Sequence, residues 1–375
     1  MKRIFNQAPA RLRTTSPQTA AARGALRRSA AAVVAAALLS ASCTKEPESM
    51  PLPDGVREIS ITALLDGADA APSGDPATGT KAPVTDGGAN SKAVLADMHF
   101  LRKDGATVQT NFAGVTAVGG SRDASGKITF TTGSVPAYDK GNLNAWFAAY
   151  WPATAAGGAT VTAGSKVVWT IDGSRDILVS TLDASKSYDA GKYTAPANPG
   201  MTLQHALARL QVVCAADATM DQAIVRAAWG KITKIQLLTS PATATYTYST
   251  NALTYGAAGA VSLWKTDYSA KFENQALDLV KGSTAVTAEG MYPPGTGAVK
   301  LKVYSEKVTA GKEVSVQLAS GSTNKNFERG LTHTITLSFG ASLQQIGTTA
   351  SISPWGTASD ATAGKPDGID PALPF

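Results

Sequence analysis

Hydrophobic residues along this chain recur mostly at every second position, in short runs bounded by Gly, Pro, Asn and Asp. No stretch sustains a 3.6-residue period between capping residues, so the pattern predicts an all-β protein. The first run sets Ile59, Ile61, Ala63 and Leu65 against Ser60, Thr62 and Leu64, a strand buried on one face. Further strands are expected from Val94 to Leu101, Lys127 to Thr132, Ala145 to Trp151, Val167 to Ile171 and Ile177 to Val179. An Ala/Ser/Gly/Pro-rich stretch from Asp183 to Pro199 reads as a junction. A second set begins with one strand from Leu203 to Cys214 and a short helix around Met220 to Arg226. It continues from Ile232 to Leu238, Thr243 to Thr250, Ala260 to Trp264, Met291 to Tyr292, Lys300 to Tyr304, Glu313 to Leu318, Leu331 to Phe339 and Ala350 to Ile352. Two sets of short strands predict two β-sandwich domains, residues 57–198 and 199–355, followed by a Gly/Pro-rich tail at 356–375.

The N-terminal residues depart from this pattern. Lys2, Arg3, Arg11, Arg13, Arg23, Arg27 and Arg28 precede an apolar run from Ala31 to Leu39, and small residues Ser40, Ala41 and Ser42 stand before Cys43. Basic residues, a short apolar run and small residues describe an export signal over residues 1–42. The run is too short to span a bilayer comfortably. A Cys directly after the small residues resembles a bacterial lipobox, which implies acylation of Cys43. Residues 43–56, with Glu46, Glu48 and three prolines, read as a solvated tether. The acidic stretch is similar to surface-export signals of Bacteroidota lipoproteins.

The leader also accounts for the charge. The formal net charge is +6, but without the seven leader bases the chain holds 27 Lys and Arg against 28 acids. A nucleic-acid binder of the wholly basic kind is therefore excluded. Two cysteines exclude a disulfide framework and a cysteine zinc site. His99, His205 and His333 each sit within a strand pattern, and no spacing sets two of them on one face. Cys214 stands in an apolar run and reads as a core residue. Gly-Lys pairs lack the remainder of a phosphate loop, and neither a nucleophile elbow nor a zinc-protease motif occurs. No catalytic residue, metal site or cofactor is assigned. Trp146, Trp151, Trp169, Trp229, Trp264 and Trp355 are scattered as core or rim residues would be.

A set of landmarks in order completes the picture. Thr202-Leu203-Gln204-His205-Ala206-Leu207-Ala208-Arg209-Leu210 follows Gly79-Thr80-Lys81-Ala82-Pro83-Val84, Met98-His99-Phe100 and Ala148-Ala149-Tyr150-Trp151-Pro152. Asn326-Phe327-Glu328-Arg329-Gly330 and Ile352-Ser353-Pro354-Trp355 close the series. Together with the Cys43 lipobox, these residues resemble the fimbrillin family, the pilus and fimbria-like subunits of Bacteroidota. The resemblance implies two tandem transthyretin-like β-sandwiches behind a lipoprotein signal peptide. It implies a lipid-anchored protein on the cell outer membrane, with other pilus subunits or host and bacterial surface ligands as partners. It also implies proteolysis in the loop after the first strand, here at Lys81 where polymerising members have Arg. Ile59, Ile61, Ala63 and Leu65 would then belong to a removable strand, leaving 294 residues after the cut. A strand donated by a neighbouring subunit would fill the vacancy. The tail lacks the alternation of a donor strand, which favours a tip, anchor or accessory subunit, or an adhesin. The rival reading is an outer-membrane lipoprotein that captures glycans, whose mark would be Trp rings coplanar on an exposed face.

Overall fold

The computed structural model describes residues 57–65, 93–131, 136–180, 187–197, 200–320, 323–341 and 345–354. Cys43, Lys81 and Trp355 lie outside these residues. Among the described residues strands supply nearly all the regular structure, with one α-helix at Gln222–Trp229 and one 3-10 turn at Ala155–Gly157.

The largest sheet runs in the order Ala63–Leu65, Met201–His205, Leu178–Val179, Asn144–Trp151, Leu95–Gly105, Val118–Arg122, Ile128–Phe130, with Tyr188–Asp189 also paired to Asn144–Trp151. Its central strand carries hydrophobic residues at seven consecutive positions from Ala145 to Trp151 because both faces are covered. Ala145, Phe147, Ala149 and Trp151 enter one core with Leu95, Met98, Phe100, Met201 and Leu203. Ala148 and Tyr150 enter another, against a second sheet ordered Ala252–Tyr255, Thr243–Thr247, Lys166–Thr170, Ala159–Thr162. Two segments beyond residue 198 thus pair with strands before it: Met201–His205 in the first sheet and the 243–255 hairpin in the second.

The remaining chain forms a separate pair of sheets. One orders Val280–Lys281, Ala208–Ala216, Leu331–Phe339, Ile346–Pro354, with Ala288–Tyr292 also paired to Ala208–Ala216. The other orders Ala258–Ser262, Ile232–Pro241, Val299–Ser305, Lys312–Val316. Alternating residues Leu210, Val212 and Cys214 face Ile235, Leu237, Leu301 and Val303 in a shared core. The helix lies against this core through Val225 and Trp229 and is capped by Asp221, whose carboxylate accepts from the Ala223 N–H at 2.7 Å.

The expected continuous strand from Leu203 to Cys214 is in fact two. It breaks at Ala206 and Leu207, where the chain leaves the first sheet and enters the third. His205 marks the break: its Nδ1 lies 2.8 Å from Asp176 Oδ2, with both side chains buried. The Ala206 N–H donates to Ile177 O at 2.8 Å, and the Gly330 N–H donates to Leu207 O at 2.9 Å. Residues beside the neighbouring strands therefore satisfy one backbone group of each crossing residue. Nearby, Gly173 has φ of +87°, and a Cβ there would meet the Tyr292 hydroxyl at 2.4 Å, so only glycine fits.

Candidate functional site

The first segment is where this fold departs from a simple stack of sheets. Residues 58–65 alternate without a fault: Ile59, Ile61, Ala63 and Leu65 are buried, while Glu58, Ser60, Thr62 and Leu64 face outward. On one side, Ala63–Leu65 runs parallel to Met201–Leu203, and the Met201 N–H donates to Thr62 O at 2.7 Å. On the other side, Ala63 N–H donates to Gly126 O at 2.8 Å and Ile128 N–H donates to Ile61 O at 2.9 Å. Further along, Ile59 N–H reaches Pro136 O at 2.9 Å and Tyr138 N–H reaches Arg57 O at 2.8 Å. The largest sheet begins at Ala63–Leu65 and ends at Ile128–Phe130, so these bonds join its two ends. The 57–65 segment is the stave that closes the sheet on itself.

The stave's four apolar side chains sit in the core formed by Leu95, Met98, Phe100, Ile128, Phe147, Met201 and Leu203. Burying the three large ones contributes roughly 5–9 kcal/mol at the usual value per side chain. A residue not singled out by sequence pattern completes the site. Arg122, with no exposed surface, donates from Nε to Ala63 O at 2.9 Å and from Nη1 to Ala93 O at 2.7 Å. The stave's outer face borders an open groove of about 680 Å³, lined by Ser60, Thr62 and Leu64 with Tyr138, Tyr188 and Gly200 among others. A Cβ on Gly200 would stand 3.3 Å from Thr62 O, which shows how closely the neighbouring chain approaches the stave.

The chemistry-bearing residues considered from sequence lie apart. His99 Nδ1 is 3.0 Å from the Tyr150 hydroxyl in the first sandwich, and burial holds its pKa below the ordinary value. His205 pairs with Asp176 at the crossing. His333, in Leu331–Phe339, is buried beside Phe327, and desolvation lowers its pKa to about 4. The Cys214 thiol is buried and pushed up to about 12, far from a reactive thiolate. Among the described residues no group of three or more His, Cys, Asp or Glu could hold a metal ion, and no helix is long and apolar enough to cross a membrane.

The described tryptophans are equally committed to the interior. Trp146, Trp151, Trp169, Trp229 and Trp264 are all buried. Each indole N–H donates to a backbone carbonyl, of Gly105, Ala96, Pro152, Gly340 and Asp172 respectively, at 2.7–2.9 Å. None of these five presents a face to solvent for stacking on a sugar.

Several solved structures are similar to this chain. A candidate cell adhesion protein from Bacteroides uniformis shares 15% identity at a TM-score of 0.48, covering 80% of this chain and 98% of its own. The tip fimbrial protein Mfa3 from Porphyromonas gingivalis, with C-terminal truncation, shares 12% at 0.39, covering 81% and 100%. A candidate polysaccharide-binding protein from Bacteroides thetaiotaomicron shares 8% at 0.43, covering 80% and 96%. No curated protein matches the chain. The profile of one family, described as fimbrillin-like, matches residues 80–355, which is most of the sequence, and the chain belongs to that family.

Proposed function

We propose that this chain is exported, acylated at Cys43 and displayed on the cell outer membrane as a tip, anchor or accessory subunit of a fimbria, or as an adhesin. Its partners are then other pilus subunits, or ligands on host or bacterial surfaces, and it carries out no catalysis. Residues 57–198 and 199–355 act as two transthyretin-like sandwich domains, with the second lending Met201–His205 and the 243–255 hairpin to the first.

One observation carries this reading. A single segment, Arg57 to Leu65, closes the largest sheet and fills its core from the edge. If a trypsin-like protease cuts at Lys81 and the stave leaves, the slot exposes apolar pockets together with unpaired backbone groups at Met201, Gly126 and Ile128. A strand from a neighbouring subunit would satisfy both at once, as in other cases of strand addition to a sheet edge. The composition of the 356–375 tail favours a terminal or stand-alone role over a repeating shaft. The five buried tryptophans count against glycan capture by aromatic stacking.

The test is to treat the purified lipidated protein with a trypsin-like protease and run it unheated in cold detergent. A ladder of oligomers supports strand exchange between copies; cleaved monomer supports the tip or stand-alone role. A mature N-terminus without lipid on Cys43 would remove the anchor from this reading.

A further inference from the structure

We propose that Arg122 retains the 57–65 stave after the chain is cut between residues 65 and 93, and that it fixes the register of any strand that replaces it. This rests on the strand-exchange reading and adds to it the residue that controls the slot. The two carbonyls that Arg122 grips, at Ala63 and Ala93, stand on either side of the 66–92 stretch. The guanidinium therefore bridges the two ends through space, independently of the peptide bonds between them. Cutting that stretch removes none of the stave's described contacts: its hydrogen bonds to Gly126, Ile128, Pro136, Tyr138 and Met201 remain, as do four buried side chains. Cleavage by itself thus licenses exchange but does not empty the slot.

An empty slot would take the Ala63 carbonyl away from a guanidinium that has no exposed surface. The charge-assisted bond to Ala63 O therefore adds to the cost of the stave's departure and favours an incoming strand that offers a carbonyl there. This preference also sets register. Successive carbonyls along a strand point to opposite sides, so a one-residue slip turns the carbonyl at the Ala63 level away from Arg122. The same slip drives every apolar side chain to the wrong face. Arg122 acts here as a positioning residue that selects for a carbonyl, whatever side chains the incoming strand carries.

The experiment replaces residues 78–84 of the full chain with the recognition sequence of a site-specific protease, cuts it, and follows the N-terminal fragment by native mass spectrometry. The fragment should stay bound to the cut protein for hours. In Arg122→Met, which keeps length but not the donors, it should leave at least about tenfold faster, the scale of the one charge-assisted hydrogen bond to Ala63 O, since Ala93 stays with the body after the cut. Arg122→Lys, whose single ammonium lacks the fork needed for both carbonyls, should fall between. Immediate loss of the fragment from the otherwise unaltered protein, or equal release in Arg122→Met, overturns the proposal. If Arg122→Met does not fold, synthetic peptides decide. A peptide spanning 55–66 should exchange into the cut protein, while one lacking Thr62 should not, and equal exchange of both overturns the register claim. A cut protein that holds its fragment yet never forms oligomers counts against strand exchange between copies, not against the role of Arg122.

Discussion

The two halves of the described chain bury cores of similar character but close them differently. In the C-terminal sandwich, Ala208–Ala216 pairs with Leu331–Phe339 over eight residue pairs, and Leu331–Phe339 pairs with Ile346–Pro354 over nine. In the N-terminal sheet, closure depends on three parallel pairs, two isolated bridges and one arginine. A long ladder fails only when many bonds fail together. A short stave can leave while the sheet on either side of it persists. The difference separates a half held by long ladders from one closed by a short segment.

The sharpest way to break this comparison is to empty the C-terminal core. Trp229→Ala removes a side chain with no exposed surface that packs edge-on to Phe339 at 4.9 Å between ring centroids. The expected cost is about 3–5 kcal/mol, read as a lower denaturant midpoint, with the stave no less protected than the rest until global unfolding. Acid should act on the same half. His333 has a folded-state pKa of about 4 against an ordinary 6.5, so the unfolded chain binds the proton more readily between those values. Its contribution is fully present above pH 6.5 and is lost as pH falls toward 4, by on the order of 3 kcal/mol. Denaturation at pH 7 and pH 4 should show this loss, and His333→Gln should reduce it.

A change in the stave should read out differently. Ile61→Ala should cost about 2 kcal/mol, the low end for such a truncation because a short edge segment relaxes into the space. Hydrogen exchange should then speed up at Met201 and Ile128 while the amides of Leu210 to Cys214 keep their protection. Uniform acceleration across both halves would erase the distinction drawn here. The smallest expected effect is at Cys214. Its thiol should resist alkylation in the intact protein and equally after the stave is cut and displaced, measured by the mass of the Cys214 peptide. Labelling on stave release would mean that the two halves open together.

Much of the strand pattern could be read from period-two alternation, and the Ile59 to Leu65 segment is the clearest case. The signal failed where side chains did not alternate. Val118–Arg122 carries Gly119 and Gly120, which dilute any pattern, although Gly120 is needed because a Cβ would press within 2.9 Å of Phe100 and Thr129 O. The run through His205 to Cys214 has no Gly or Pro to mark the crossing between sheets. Contacts remote in sequence mark it, among them His205 with Asp176, 29 residues apart, and Leu207 with Gly330. Arg122 was invisible for a related reason. A lone arginine in a polar stretch looks like a solvated one, and its role depends on carbonyls 59 and 29 positions away.

The direction of the stave has a mechanical consequence. Tension applied from the N-terminal side enters at Arg57 and runs along the strand axis, across hydrogen bonds that lie perpendicular to it on the antiparallel flank and slanted on the parallel one. Such bonds are loaded in shear and resist as a group, whereas a hairpin pulled at its open end yields one bond after another. A tether at this end therefore pulls on the segment in its strongest direction.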